Sequence, residues 1–302
     1  NYKYKNKHKY VFAKLEYYNI TGSIKDIVAY YMINKGKEEG YLKDKTPIIE
    51  ATSGNTGISV AALGAYYKHP VYIFMPDWVS QERIKIMEMY GAEVKLISKE
   101  EGGFTRCIEE AKKLSEKING FLTNQFENTN NTLAHFETTG EEIIQKIKVA
   151  GLISGIGTGG TLIGVGKKCK LHNPNTTIYG LEPTNMSLIK TGNLGSHKIE
   201  GIGDEFIPSI VDLNLIDDII LIDDDEAIKM TQNLASVLGL GVGISSGANL
   251  IGAILLNEKI NGNVVTFFPD DLKKYISTDL INKIDNSNLI SSQIELLNYE
   301  VI

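Results

Sequence analysis

Short apolar runs alternate with amphipathic, helix-like stretches along almost the whole chain, and that alternation restricts the fold more than any other feature. "TPIIEATS" precedes "GNTGISVAALGAYYKH", "PVYIFMP" precedes "SQERIKIMEMYG", and "AEVKLIS" precedes "EEGGFTRCIEEAKKLSEKI". The unit returns in "AGLISGIGTGGT", "TIYGLEP", "DDIILIDDDEAIKMTQNLASVLG" and "NVVTFFP". Runs with little polar alternation suit strands buried on both faces, so the chain reads as α/β with parallel sheets flanked by helices. Near the start, "YVFAKLE" reads as a strand and "IVAYYMINKGKEEG" as a helix closed by lysines and Gly40. The tyrosine-rich opening "NYKYKNKHKY" reads as a solvated edge, and the polar tail after Ser277 as peripheral helix or arm. The Asn- and Thr-rich segment "LTNQFENTNNTLAHFETTG" suggests a lobe boundary near residue 128.

Composition removes several function classes. A net charge of −6 offers no basic stripe, so nucleic acid is not an expected partner. Cys107 and Cys169 form neither a disulfide framework nor a metal-spaced pair and read as packing thiols. The five histidines lack ligand spacing, and no metal is expected. No apolar run reaches membrane-spanning length and no signal peptide opens the chain, so the expectation is a cytoplasmic protein away from membranes.

In open α/β sheets ligands sit where strands end and loops lead into helices. Three such loops have unusual composition. In "SGIGTGGTLIGVG", Gly155, Gly157 and Gly160 satisfy G-x-G-x-x-G, with Glu182 at the end of the next strand, as in a dinucleotide site. The denser feature is "GTGGT", Gly157 to Thr161, whose N–H groups and two hydroxyls could surround one phosphate. In "ATSGNTGIS", Thr52, Ser53, Asn55 and Thr56 crowd donors suited to a carboxylate, although an ordinary capped turn explains the loop equally well. In "GLGVGISSGANL", Ser245 and Ser246 follow a short Gly-flanked strand, and a serine N-cap is the simpler reading.

"NITGSIKD" adds a lysine, Lys25, in the first turn of a helix, where the dipole disfavours cations. An amine held there is pushed toward its neutral, nucleophilic form and can form a Schiff base with a carbonyl cofactor. Phosphate cup, carboxylate cup and imine lysine together suit pyridoxal 5′-phosphate and an amino acid. From these residues alone a nucleotide-dependent oxidoreductase and a non-catalytic binding protein stay open.

"KLEYYNITGSIKD", "TSGNTG", "GTGGT" and "GISSGA", in that order, resemble the cysteine synthase and cystathionine β-synthase family, the fold type II pyridoxal-phosphate enzymes. "QFENTNN", "HFETTGEEI", "YGLEP", "KIEGIGDEFIP" and "YISTDL" extend the resemblance over nearly the whole chain. It implies a tryptophan synthase β-like fold of two lobes, each a mostly parallel twisted sheet flanked by helices. Residues 19–128 would form a smaller mobile lobe that closes on substrate; residues 1–18 and 129–302 would form the larger lobe that binds the cofactor phosphate. It further implies that Lys25 is the Schiff-base lysine and the base for the α-proton, and that Asn55 bonds the cofactor 3′ oxygen. Thr52, Ser53, Asn55, Thr56 and Gln125 match the substrate-carboxylate site. Gly157, Thr158, Gly159, Gly160 and Thr161 match the phosphate loop, and Ser245 the partner of the pyridine nitrogen. A serine there holds the ring nitrogen unprotonated, which favours loss of a Cβ leaving group to an aminoacrylate. A homodimer is implied as well.

The chain departs from the family pattern at Ile27, where arginine is usual, and in "EEIIQKIKVAGLISG", which is a few residues short between helix and strand. The chemically pointed departure is "GIGDEF": Asp204 and Glu205 stand where small or neutral residues are usual. Both could face solvent, as most acids do. A carboxylate at Cβ would instead oppose incoming sulfide and could accept a proton from attacking water. This resembles the hydrogen-sulfide-producing L-cysteine hydroxyl-lyase branch. The favoured expectation is β-replacement of L-cysteine by water, giving L-serine and hydrogen sulfide with Lys25 and Asp204 as catalytic residues. Cysteine synthesis from O-acetylserine comes next, then cystathionine or lanthionine formation.

Overall fold

The computed structural model describes residues 1–284 and 286–302. A hairpin of β1 (Tyr2–Tyr4) and β2 (Lys7–Lys9) leads into β3 (Phe12–Leu15) and α1 (Lys25–Glu38). Four further strands follow, β4 (Ile48–Ala51), β5 (Val71–Pro76), β6 (Glu93–Ile97) and β7 (Phe121–Leu122). They are separated by α2 (Asn55–Tyr67), α3 (Gln81–Met89) and α4 (Gly103–Ile118). Next come α5 (Thr129–Glu137), α6 (Thr139–Lys146), β8 (Val149–Gly155), α7 (Gly160–His172), β9 (Thr177–Pro183) and β10 (Asp218–Ile222). The chain finishes with α8 (Asp224–Leu238), α9 (Ile244–Lys259), β11 (Asn263–Phe268), α10 (Ile290–Gln293) and β12 (Glu295–Leu296).

Two parallel sheets carry the fold, in the orders β6-β5-β4-β7 and β10-β9-β8-β11-β3. Ile48 and Ile49 of β4, and Leu152 and Ile153 of β8, are fully buried, as strands covered on both faces require. Each such side chain contributes about 1.5–3 kcal/mol on burial. The loops that leave β4, β7, β8 and β11 at their carboxyl ends converge on one cavity, lined among others by Thr52, Gln125, Gly157 and Pro269. Only Ile147 and Lys148 separate α6 from β8, which is the shortness visible in the sequence.

Two local readings change. The opening segment is a hairpin that pairs through β1 with β12, and Tyr2 and Tyr4 bury their rings in the core while Lys3 between them is partly exposed. Ser245 and Ser246 do not cap α9; its N-cap is Gly243, and Val242 makes only an isolated bridge to Asp271 in place of a strand. The polar tail contributes a short helix, α10, as the sequence suggests, and also the strand β12. Cys107 and Cys169 are buried free thiols, and burial pushes both up to about 12, as packing residues should be.

Helix α9 is buried along most of its length and crosses α8 at Gly247. A Cβ there would strike the Ala227 carbonyl and the Thr231 hydroxyl and stand 2.8 Å from the Thr231 nitrogen. Gly247→Ala should therefore cost about 1–3 kcal/mol through overpacking, read as a lower urea midpoint at unchanged slope.

Candidate active site

Lys25 opens α1, and three local devices hold it there. Ser23 Oγ accepts the Lys25 N–H at 3.2 Å, and the Ile24 N–H donates to the Pro269 carbonyl at 2.8 Å, joining the turn to the end of β11. Asp26 braces the turn from within: its carboxylate accepts the Thr21 N–H at 2.7 Å, the Thr21 hydroxyl at 2.5 Å and the Ser59 hydroxyl at 2.6 Å. The Lys25 side chain enters the cavity. Burial pushes its amine below the ordinary lysine range, opposed in part by Asp204, Asp270 and Glu50.

The loop after β4 is organised by its own hydroxyls. Thr52 Oγ1 accepts the Gly54 N–H at 3.0 Å, and Thr56 donates to Gln125 Oε1 at 2.6 Å, while Gln125 Nε2 donates to the Ala51 carbonyl at 3.0 Å. Ser53 stays exposed at the cavity mouth. Asn55 donates through Nδ2 to Asp270 at 2.7 Å, and its buried Oδ1 has no partner. Thr52, Ser53, Asn55, Thr56 and Gln125 thus share one wall with Lys25.

The opposite wall is the start of α7. Thr158 Oγ1 accepts from Asn131 Nδ2 at 3.0 Å and from the Gly160 N–H at 3.3 Å, so its own proton is left to donate. Thr161 Oγ1 lies 3.1 Å from Nε2 of His135, whose Nδ1 is 3.0 Å from Thr139 Oγ1. Burial, with Lys25 as a lesser cause, holds that imidazole down to about 3, so it is neutral. Outward hydroxyls at a helix N-terminus suit a phosphate. The glycines here serve other contacts too. A Cβ on Gly157 would strike the Gly201 carbonyl, one on Gly159 (φ +84°) would strike Val211, and one on Gly160 would strike the Asn131 amide oxygen. Ser245, buried at the start of α9, lines the same cavity.

Asp204 lines the cavity and Glu205 does not; Glu205 is exposed. Burial pushes the Asp204 carboxyl up to about 6, with Lys25 pulling it down and Glu205 pushing it up. Glu50, buried behind Lys25, is pushed up to about 7 by burial, although it accepts from Thr123 Oγ1 at 2.5 Å and from two backbone N–H groups. Of the residues that the family resemblance assigns to the cofactor, the substrate or the catalysis, all but Gly160 meet at one cavity; Gly160 stands behind the phosphate loop against Asn131.

Glu182, the acid of the dinucleotide-like spacing, is occupied elsewhere. Its buried carboxylate accepts the N–H groups of Ile189 and Lys190 at 2.9 and 3.0 Å, stapling a turn. The supporting residues Asn131, His135, Asp270 and Glu50 carry no motif of their own; "QFENTNN" and "HFETTGEEI" contain two of them without revealing their task. Among the described residues no group of acids, histidines and cysteines could hold a metal, and no helix is long and apolar enough to cross a membrane.

The family described as pyridoxal-phosphate dependent enzyme matches residues 2–270. The cysteine synthase of Staphylococcus aureus (strain Mu50) is 39% identical over 275 residues, 89% of this chain and 88% of that protein. A hydrogen sulfide-producing enzyme from Fusobacterium nucleatum has a TM-score of 0.94 and 44% identity, covering 98% of this chain and 91% of its own. An aspartate-to-asparagine mutant of the hydrogen sulfide-producing enzyme, in complex with an alpha-aminoacrylate intermediate, has a TM-score of 0.95 and 44% identity, covering 98% of this chain and 92% of its own. A family match over most of the chain and cysteine synthase relatives at 39% identity lead to one assignment: the chain belongs to the pyridoxal-phosphate-dependent enzymes, in the cysteine synthase group.

Proposed function

We propose that the enzyme replaces the thiol of L-cysteine with water, giving L-serine and hydrogen sulfide. Pyridoxal phosphate fits the residues present on their own chemistry. Thr158 keeps a proton to donate, Asn55 keeps a buried amide oxygen unpartnered, and Lys25 is held toward the neutral amine that attacks a carbonyl. Gly157, Thr158, Gly159 and Thr161 would hold its phosphate with Gly160 supporting Thr158 from behind, Asn55 its 3′ oxygen, Ser245 its ring nitrogen and Lys25 its aldehyde carbon. When bound, the cofactor supplies an electron sink for the bonds at the substrate α-carbon.

The remaining steps belong to side chains. Thr52, Ser53, Asn55, Thr56 and Gln125 take the substrate carboxylate and orient the α-hydrogen toward Lys25. Lys25, freed when the substrate amine takes its place, accepts that proton and later returns it. The Cβ–S bond breaks and the sulfur leaves as hydrosulfide. A Cβ–O bond forms with water as Asp204 accepts the water proton, and that proton ends on the hydrosulfide, so the atoms balance. The observation that carries this reading is the placement of Asp204, and not Glu205, in the cavity beside Lys25. An anion there repels incoming sulfide and activates water, which disfavours synthesis of cysteine from O-acetylserine. We further propose that residues 19–128 close over the substrate and that the enzyme is a cytoplasmic homodimer.

Holoenzyme given L-cysteine alone should release sulfide and serine in equal amounts. Sulfide with pyruvate or lanthionine in place of serine would overturn the reading, as would faster consumption of O-acetylserine with sulfide.

A further inference from the structure

The cavity wall contains an ion pair that the chemistry above does not use. Arg83 extends from α3, beside the β6-β5-β4-β7 sheet, and pairs with Glu200 in the loop after β9 of the other sheet. Both line the cavity, and Arg83 is buried. We propose that this pair is a clasp that makes engagement of the substrate loop set the position of Asp204, so that Arg83 and Glu200 are positioning residues for the addition of water. The proposal rests on the reading of Asp204 given under Proposed function.

One end of the clasp touches the substrate loop. Arg83 occupies the space beside Gly54, where a Cβ would strike its Cδ and come within 2.6 Å of Nε, so the loop cannot shift without displacing the arginine. The guanidinium also lies 4.6 Å from the Tyr275 ring centre. The Tyr275 hydroxyl donates to Asp270 Oδ2 at 2.7 Å, the same oxygen that receives Asn55 Nδ2 at 2.7 Å. Arg83 therefore contacts the loop at Gly54 and, through two groups, at Asn55.

The other end carries the reacting carboxylate. Glu200 precedes Asp204 by four residues across Gly201 and Gly203, whose φ values of +92° and +74° lie in the left-handed region. His197 closes this arch: its Nε2 donates to the Gly203 carbonyl at 3.0 Å and its Nδ1 accepts the Ile199 N–H at 3.2 Å. The Gly203 N–H donates to the Ile156 carbonyl at 2.8 Å, and Ile202 fills the space beside Gly155, where a Cβ would come within 2.6 Å. Pinned at these points, the short arch holds Asp204 in a fixed register with Glu200.

The arrangement is costly as mere scaffolding. A desolvated arginine needs full pairing, yet Arg83 Nε has no hydrogen-bond partner. An apolar pair would join the two sheets as well, whereas a charged pair joins them in one register.

The test uses holoenzyme and L-cysteine, separating the first-turnover burst of sulfide, which needs Lys25, from steady-state serine formation, which needs Asp204. Glu200→Gln should keep a burst of one equivalent per site while steady-state serine formation falls by about 10- to 100-fold, the scale of an ångström-sized misplacement. Glu200→Asp should recover part of that loss. In Asp204→Asn the added Glu200→Gln change should have no further effect. Loss of burst and steady state in parallel would mark the pair as structural and overturn the clasp, and so would an unchanged steady state. If Asp204→Asn itself leaves serine formation intact, it is the reading of Asp204 that fails, whatever Glu200→Gln does.

Discussion

Lys25→Ala will bind cofactor without a covalent link and release almost no sulfide from L-cysteine. Treating wild-type holoenzyme with borohydride should add the mass of reduced cofactor to the peptide containing Lys25; the variant should add none. Turnover should fall by about four orders of magnitude, the upper range for loss of a positioned general base. Retained covalent attachment in the variant would remove Lys25 from its role. Folding should survive, because the turn is braced by Ser23, Asp26 and the Ile24–Pro269 bond, none of which uses the lysine amine. Removing a buried amine that burial disfavours as a cation is also not expected to cost stability.

Asp204→Asn should separate the two halves of the reaction. One equivalent of sulfide per site should appear in the first turnover, and then serine formation should run about 10² to 10⁴ times slower than in wild type. The pH dependence follows from the same carboxyl. A base must be deprotonated to accept a proton, so the wild-type rate of water addition should rise as pH passes about 6, where burial has placed Asp204. The asparagine variant should lack that limb. Stability moves the other way: a carboxyl raised in the folded state favours folding when protonated, and that contribution is lost as pH rises from the unfolded value of 3.8 through about 6. The variant, having no such titration, should be at least as stable as wild type above pH 7. Unchanged serine production would refute the role of Asp204.

The parts of the site that were legible in the sequence are those whose chemistry is local. Lys25 stood out because a cation in a first helical turn is anomalous, and the loops Thr52–Thr56 and Gly157–Thr161 because hydroxyls and glycines are dense there. The strand–helix alternation was legible for the same reason: parallel strands covered on both faces need unbroken apolar runs. Arg83, His135, His197 and Glu200 were not legible. Each matters through a partner distant in the chain or across a loop, and even where it lies in a family-like run, as His135 and Glu200 do, nothing there marks its task. The misreading of the opening segment has a similar cause. Tyr2 and Tyr4 alternate with lysines as a solvated strand would, and only pairing with β12 reveals which face is inside.

The contact of Gly155 and Gly157 with the Ile202 side chain and the Gly201 carbonyl has a practical corollary for redesign. Transplanting an aspartate alone into a cysteine synthase of ordinary type should not transfer hydrolytic chemistry. The unit to graft is a cassette: residues 197–205 with their histidine, the bare backbone seat at Gly155 and Gly157 that receives them, and Arg83 from beside the other sheet. On the proposed reaction, the outcome depends on three segments of chain together, and partial grafts should yield enzymes that discharge sulfide once and then stall.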